Sequence, residues 1–335
     1  MDLAWYALLG LFFASYLVLA GYDYGVGLLL ARGGAPAGRR AALTALGPFF
    51  LGNEVWLVAA VGILFGAFPV LEGELLAGCY PAVAGALVGV ILVTAGVQLR
   101  SRPSEERVRA RWDRVIVVGS ALAALGWGAV LAALLQGVPR QADGHVAGVS
   151  HLATPFAAIV GLTMVALVAV HGATFLTLRL PADAAAVAGR TARRLVPVAL
   201  CAVAVATVVG LLSSRVRDAV QRPAVGVLLP VLLVAALLTA RVALARQRPG
   251  WALIATGAAL ALPVALVGAA LWPYVLVSTT DPGASLTVTD AAASAPTLRL
   301  LGWVALPLLP ALLGFQAMCW WVFRGRTDGR APVYW

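Results

Sequence analysis

Three ionisable side chains lie well inside long apolar stretches of this sequence: Asp23, Glu54 and His171. A charged group in hydrocarbon is costly, so such residues often mark proton or ion pathways. A carboxyl group in a dry site can hold a proton, and histidine exchanges protons near neutral pH. We therefore take these three residues as candidates for a proton path. The alternative is that they only form hydrogen bonds between helices.

The neighbours of these residues suggest supporting roles. Asp23 lies within the segment Gly21–Gly27 (GYDYGVG), where it could brace tightly packed helices, because glycine lets two helix backbones approach closely. Asn53 has donors and an acceptor that could orient the adjacent Glu54. Trp56 is interpreted as a packing or interface residue. His171, followed by Gly-Ala-Thr, also has the pattern of a packing histidine.

The elements that position these residues must be membrane helices. Hydrophobic residues make up 62% of the 335 residues and charged residues 11%, with a mean hydropathy of +0.95. Soluble domains have about 45–50% apolar and about 25% charged residues. Both a soluble fold and intrinsic disorder are therefore excluded. Long apolar runs without alternation predict helices rather than a membrane barrel.

Nine runs are long enough to span the hydrocarbon core, so we predict an all-α polytopic protein that forms one transmembrane domain over residues 1–335. We expect the sixth run to be the shortest. The predicted spans are about 5–29, 45–69, 75–99, 115–137, 152–178, 195–213, 224–245, 251–275 and 300–323.

The arginines predict the orientation of the chain. All 24 basic residues are arginine, and 19 of them fall on one side of the predicted spans, here called the arginine-rich side. Because basic loops stay in the cytoplasm, the N-terminus is expected outside and the C-terminus inside. The arginine-poor side carries Arg140, Arg215, Arg217, Arg222 and Arg299, of which Arg215, Arg217 and Arg222 form a local exception. No basic residue precedes Arg32, so no cleaved signal peptide is expected.

Several chemistries have no support in the sequence. The net charge of +10 is explained by loop arginines, so no nucleic-acid partner is expected. The three cysteines lie in separate apolar runs without metal-ligand spacing. His145 and His151 fall in a predicted external loop, which leaves His171 as the one candidate for an intramembrane axial ligand. This chain alone could therefore not hold several haems.

Several patches, in matching order from about residue 21 to 326, resemble subunit II of the cytochrome bd family of quinol oxidases. Each patch is weak alone, but the ordered set is specific. They are Gly21–Gly27, Gly47–Leu57 (GPFFLGNEVWL), Arg111–Asp113 (RWD), Leu134–Pro139 (LLQGVP), His171–Thr174 (HGAT, often different at its first position in relatives) and Ser278–Pro282 (STTDP) with Ser285–Thr287 (SLT).

The resemblance implies two four-helix bundles plus one peripheral helix, paired with subunit I in a prokaryotic cytoplasmic membrane. It implies that subunit I carries two b-type haems, haem d and the quinol site, whereas subunit II ligates no haem. It further implies that the complex oxidises quinol and reduces dioxygen to water without pumping protons. The implied roles of subunit II are to stabilise subunit I, to shape oxygen or proton access and, in some members, to hold a structural quinone.

This sequence departs from the family pattern at two positions. Many relatives have an acidic residue immediately before the Gly-Asn pair and another just before Gly21, where this chain has Leu51 and Ala20. Glu54 lies three residues after Leu51, near enough on a helix to substitute in part. Protons would then enter through Glu54 or wholly through subunit I.

Two other classes of function stay open at this point. A stand-alone transporter or channel would need a substrate site at the midplane, commonly beside a broken helix, and Pro48 and Gly52 allow a kink. A purely structural scaffold is the other class. The sequence leaves open which quinone is used, the oxygen route, and whether a small single-span subunit attaches.

Overall fold

The structure is a computed structural model that describes residues 1–32 and 36–327, so Arg330 of the arginine-rich set lies outside the described residues. This part of the chain forms twelve α-helices. They are α1 (Asp2–Leu29), α2 (Pro36–Ala67), α3 (Pro69–Gly78), α4 (Tyr80–Leu99), α5 (Glu106–Gln136), α6 (Pro155–Arg179), α7 (Ala182–Leu212), α8 (Ser214–Ala219), α9 (Pro223–Ala245), α10 (Pro249–Ala270), α11 (Val288–Ala291) and α12 (Ala295–Val322).

Nine of these helices, all except α3, α8 and α11, are long and apolar enough to cross a membrane, within the described ranges. The prediction of nine spans is thus confirmed. The sixth predicted span, about 195–213, lies within α7, which is 31 residues long and begins earlier, at Ala182. The N-terminal part of α7 carries Arg190, Arg193 and Arg194. This part is charged and therefore lies outside the apolar run, although it is still helical.

Prolines within the helices do not interrupt them. Pro48 lies inside the continuous α2, and α12 contains Pro307 and Pro310. Other prolines occupy the first turn, where the missing N–H costs nothing: α6 begins at Pro155, capped by Thr154 Oγ1, which accepts from Ala157 N at 3.1 Å. Because α2 is unbroken at Pro48 and Gly52, it lacks the discontinuity that the transporter alternative invoked.

Neighbouring helices pack in two sets. Helices α1, α2, α4 and α5, here the first helix group, pack in sequence-adjacent pairs, and so do α6, α7, α9 and α10, the second helix group. The two groups are joined by α5, which packs against α6, and by α1, which packs against α6 and α10. Helix α12 packs mainly against α2. Tyr16, Tyr22, Phe49 and Phe175 are among the largest fully buried side chains of the core.

The crossing of α1 and α6 depends on two glycines. A Cβ atom at Gly25 would lie 1.9 Å from the Val168 carbonyl oxygen, and one at Gly172 would lie 2.4 Å from the Gly25 backbone. Both distances are far below van der Waals contact. The two backbones therefore touch directly, as the glycines of the Asp23 segment predicted.

The connections on the arginine-poor side are ordered. The strands β1 (Tyr274–Leu276) and β2 (Leu286–Thr287) pair antiparallel in the segment between α10 and α12. Ser278 links this segment to the α5–α6 connection, since its hydroxyl donates to the Arg140 carbonyl at 2.6 Å. The Ser278 segment is thus fastened to the α5–α6 connection.

Candidate functional site

Asn53 of α2 connects the polar side chains in the core of the first helix group. Its amide Nδ2 donates to Asp23 Oδ2 at 2.9 Å and to the Tyr22 hydroxyl oxygen at 2.8 Å. Its carbonyl oxygen accepts from Gln316 Nε2 of α12 at 3.4 Å. Asn53, Asp23 and Tyr22 are all buried. We call Asp23, Asn53, Tyr22 and Gln316 the Asn53 cluster, which links three helices.

Asp23 keeps one free oxygen in this cluster. Its Oδ1 atom is buried and has no hydrogen-bond partner among the described residues, and no arginine there lies within 4.0 Å of its carboxyl group. An ionised carboxylate buried without a cation is costly, whereas a protonated one needs no counter-ion. If Asp23 carries a proton, Oδ1 is the oxygen with room for it, because Oδ2 accepts from Asn53.

Glu54 faces a different neighbour from Asn53. Consecutive helix residues point about 100° apart, so the two side chains cannot share one contact surface. Glu54 is half-buried and turns to α4, where Thr94 Oγ1 lies 2.5 Å from its Oε1 atom. The expectation that Asn53 orients Glu54 differs from the structure, in which Asn53 orients Asp23.

The Thr94 hydroxyl has more acceptors than protons. It lies 2.9 Å from the Val90 carbonyl oxygen as well as 2.5 Å from Glu54 Oε1. A hydroxyl has one proton to donate, and a backbone carbonyl can only accept. Both contacts are satisfied at once when Glu54 itself carries a proton. The geometry of the Glu54–Thr94 pair therefore accommodates a protonated Glu54 carboxyl group.

His171 uses both ring nitrogens inside the chain. Nε2 lies 3.0 Å from the Val18 carbonyl oxygen and therefore donates to it, while Nδ1 lies 2.7 Å from Thr256 Oγ1 of α10. The ring is buried between α1, α6 and α10. With both nitrogens engaged, His171 does not fit the role of a haem axial ligand. Its contacts are those of a histidine that holds helices together.

Trp56 also serves packing. Its Nε1 atom donates to Gln316 Oε1 at 3.3 Å, and its ring lies 5.4 Å from the ring of Phe12. Trp56 thus fastens α2 to α12 and α1. Of the residues predicted from the sequence, Asp23 and Asn53 meet directly, Trp56 reaches them through Gln316, and Glu54 and His171 make separate contacts.

A tyrosine pair was missed by sequence reasoning. The hydroxyl oxygens of Tyr16 and Tyr24 lie 2.5 Å apart, and Trp127 Nε1 of α5 donates to the Tyr16 hydroxyl at 3.0 Å. All three side chains are buried in the first helix group. The available signal was two tyrosines eight residues apart in one apolar run, a spacing that puts them on one helix face.

An ion network on the arginine-rich side was missed as well. Asp113 of α5 pairs with Arg100 and with Arg39, whose Nε lies 3.3 Å from Asp113 Oδ2, and Arg39 also bonds Glu106 at 2.5 Å. Asp113 and Arg100 are buried. The network ties the ends of α2, α4 and α5. The Arg-Trp-Asp motif pointed to Asp113, but not to its partners.

The buried environment of His151 is a third feature that the sequence did not reveal. It lies in the α5–α6 connection, and both of its ring nitrogens are buried without a partner among the described residues. Burial, and then the nearby Arg215 charge, lower the pKa of His151 below its usual value of 6.5. His151 is therefore held neutral on the arginine-poor side.

Comparisons with known proteins assign the chain to a family. The family model described as cytochrome bd terminal oxidase subunit II matches residues 1–323. The chain is 33% identical over 181 residues to cytochrome bd-I ubiquinol oxidase subunit 2 of Escherichia coli K12, covering 52% of this chain and 48% of that protein. It is 31% identical over 198 residues to cytochrome bd ubiquinol oxidase subunit 2 of Bacillus subtilis, covering 58% of each. The alignments thus span about half the length of these curated relatives.

A solved structure shows the same fold. A chain of the bd oxidase from Geobacillus thermodenitrificans superposes with a TM-score of 0.75 at 19% identity, covering 96% of this chain and 98% of that one. The likeness to this chain extends over nearly all of the helices described above. The protein therefore belongs to the cytochrome bd terminal oxidase subunit II family and is a multi-pass inner-membrane protein.

Proposed function

We propose that this chain is the subunit without haem ligands in a quinol:dioxygen oxidoreductase of aerobic respiration. The observation that carries the proposal is the family match over residues 1–323, together with relatives that are ubiquinol oxidase subunits. In such a complex the haems supply the electron transfer to dioxygen, and they would be held by subunit I. This chain's own contribution is then to stabilise subunit I and to deliver protons.

The surface proposed to meet subunit I lies on α2 and α12. Both helices expose large apolar side chains, including Val58, Trp303 and Trp321. Leu51, at the position that is often acidic in relatives, is 52% exposed on the same helix as Val58. An apolar residue there can pack against a partner or lipid, but it cannot carry a proton. On this surface the chain therefore supports assembly.

Proton delivery is proposed for Glu54 and Asp23 instead. The Glu54–Thr94 contact accommodates a protonated carboxyl group, and Asp23 Oδ1 has room for a proton. His171, with both nitrogens engaged, is left out of this proposed path and assigned to packing. The resemblance also implies a structural quinone in some members, and two apolar grooves offer room for a hydrophobic molecule.

Gentle purification tests the oxidase assignment. The tagged chain should copurify with a haem-rich membrane protein, show a haem d band in a reduced-minus-oxidised spectrum, and support quinol-dependent oxygen uptake. A well-folded, colourless chain that purifies alone would contradict the assignment, and transport assays would follow.

Glu54→Gln tests proton delivery separately. Glutamine keeps the shape and can hydrogen-bond Thr94 but cannot exchange a proton, so turnover should fall about tenfold, a barrier increase of about 1.4 kcal/mol. Haem content per complex should stay unchanged. The matched control is Glu72→Gln on α3, which should leave turnover unchanged. Normal turnover in Glu54→Gln would remove Glu54 from the proton route, and loss of haem would indicate an assembly role.

A further inference from the structure

The arginine-poor side carries a cluster of positive charge that membrane topology does not explain. Arg215, Arg217 and Arg222 lie between α7 and α9, and all three are exposed. In residues 1–32 and 36–327, no carboxylate lies within 4.0 Å of any of their guanidinium groups. The positive charge of this cluster is therefore available to an external partner.

A large apolar groove opens beside Arg222. Its volume is about 970 Å³, and its wall is formed mainly by α1, α2, α3, α4, α5 and α10, with Gly10, Phe13 and Trp127 among the lining residues. This volume is at the upper end of the range for small-molecule sites, about 300–1,000 Å³. Among the lining residues that the structure describes, Arg222 is the one that carries a charge. The groove therefore suits a long hydrophobic body with one anionic end.

Contacts at the rim hold Arg222 over the groove. Its guanidinium carbon lies 5.9 Å from the ring centroid of Trp272, which also lines the groove. Its backbone N–H donates to the Ala270 carbonyl at 3.1 Å, which fixes the start of α9 against the end of α10. Tryptophan and arginine at helix ends are typical of the lipid headgroup level. The positive charge thus sits where a headgroup would lie, above an apolar groove.

A second, smaller groove repeats this pairing of arginine and apolar wall. It has a volume of about 310 Å³ and is lined by Phe156, Met164 and Arg217. The Arg217 guanidinium, however, donates to the Leu211 and Leu212 carbonyls, each at 2.8 Å. Because those donors are engaged in ending α7, Arg222 is the better binding group.

We propose that the Arg222 groove binds one anionic phospholipid from the leaflet on the arginine-poor side. Its phosphate contacts Arg222, and its acyl chains lie along α1 and α10. Arginine pairs well with phosphate, and burial of the chains removes apolar wall from contact with other lipids. A neutral hydrophobic molecule would fill the groove but gain nothing from Arg222. A free anion would gain nothing from the apolar wall.

Lipid retention by the purified protein, kept with its natural partner, tests the proposal. After washing in mild detergent the protein is incubated with equal amounts of phosphatidylglycerol and phosphatidylcholine, and the retained lipid is identified by native mass spectrometry. We expect preferential retention of phosphatidylglycerol. Arg222→Gln should reduce this preference about fivefold, the effect expected of one basic side chain at a membrane surface. Arg299→Gln removes an exposed charge from the same side and should leave the preference for phosphatidylglycerol unchanged.

A second pair of variants tests whether the lipid chains occupy the apolar groove. A Cβ at Gly10 or Gly62 meets no atom within 4 Å, and only Gly10 lines the groove. Gly10→Leu should therefore lower phosphatidylglycerol retention severalfold without changing the charge, whereas Gly62→Leu should not. Equal melting temperatures of these two variants exclude misfolding as the cause.

Several outcomes would overturn the proposal. Unchanged retention in either Arg222→Gln or Gly10→Leu would do so, as would equal retention of the two lipids. Stabilisation by inorganic phosphate alone, lost in Arg222→Gln but kept in Gly10→Leu, would indicate a free-anion site. Recovery of a quinone in place of phospholipid would assign the groove to a neutral ligand. None of these results depends on whether Glu54 delivers protons.

Discussion

The two helix groups bury polar side chains in different ways. In the first group, the polar side chains bond to one another across helices, as in the Asn53 cluster and the Tyr16–Tyr24–Trp127 chain. In the second group, threonine hydroxyls mainly bond to carbonyls of their own helix, as Thr174 does to Val170 and Thr207 to Val203, each at 2.8 Å. An exception is His171, which bonds across to Thr256 of α10 at 2.7 Å.

The two kinds of hydrogen bond have different consequences for helix packing. A hydroxyl that bonds to its own helix satisfies its hydrogen-bonding need in lipid but does not constrain how the neighbouring helix packs. A side chain that bonds across helices fixes the rotation of both, and it leaves a buried unpaired group if its partner is lost. The first helix group is therefore where polar substitutions should be most costly.

The largest effect is expected at the contact between α1 and α6, one of those that join the two groups. Gly172→Leu would place side-chain atoms into the Gly25 backbone, and overpacking of this kind should cost about 3 kcal/mol of folding free energy. The yield of folded protein in membranes and its melting temperature measure the effect. Gly10→Ala, where a Cβ meets open space, is the control. A stable Gly172→Leu protein would show that the close α1–α6 contact is not required for the fold.

Asn53→Leu should have the next largest effect. It leaves Asp23 without its hydrogen-bond donor in a buried site, which should cost about 2–3 kcal/mol. The double variant Asp23→Leu/Asn53→Leu should recover part of this loss, because neither polar group is then left unpaired. The melting temperature in mild detergent measures both changes. Additive losses in the double variant would show that the two residues are not coupled.

Thr174→Val is the matched change in the second group and should cost about 1 kcal/mol or less. The Val170 carbonyl can still accept its helix hydrogen bond, and Thr174 makes no bond to another helix in the described residues. The same melting measurement applies. A loss as large as that of Asn53→Leu would remove the distinction between the two groups.

The smallest effect is confined to acid pH and concerns His151, at the connection between the groups. Burial lowers its pKa below the ordinary 6.5, so the unfolded chain binds a proton more readily than the folded chain. Protonation of His151 therefore costs no folding stability above about pH 6.5, and the stability falls as the pH drops from there toward the lower pKa of the folded state. Melting temperatures across this range should fall less for His151→Leu. Identical pH profiles would contradict the assignment.

Features that depend on the local composition of the chain were predicted well from the sequence. The number of long helices follows from apolar runs, because a helix in lipid must satisfy its own backbone and be long enough to cross. Ionisable residues are rare in such runs, so Asp23, Glu54 and His171 could be identified as candidates from the sequence alone. Helix ends were less predictable, as α7 shows, because hydropathy detects the hydrocarbon boundary rather than the last hydrogen-bonded turn.

The contact partners were decided by the tertiary structure. Asn53 and Gln316 are 263 residues apart, and no periodicity along α2 or α12 indicates that they meet. The same holds for Arg222 above Trp272 and for Glu54 beside Thr94. Composition fixes which segments enter the membrane, since burial in lipid depends on each segment alone. Which polar group faces which depends on the rotation and packing of all the helices together, a property that no single segment contains.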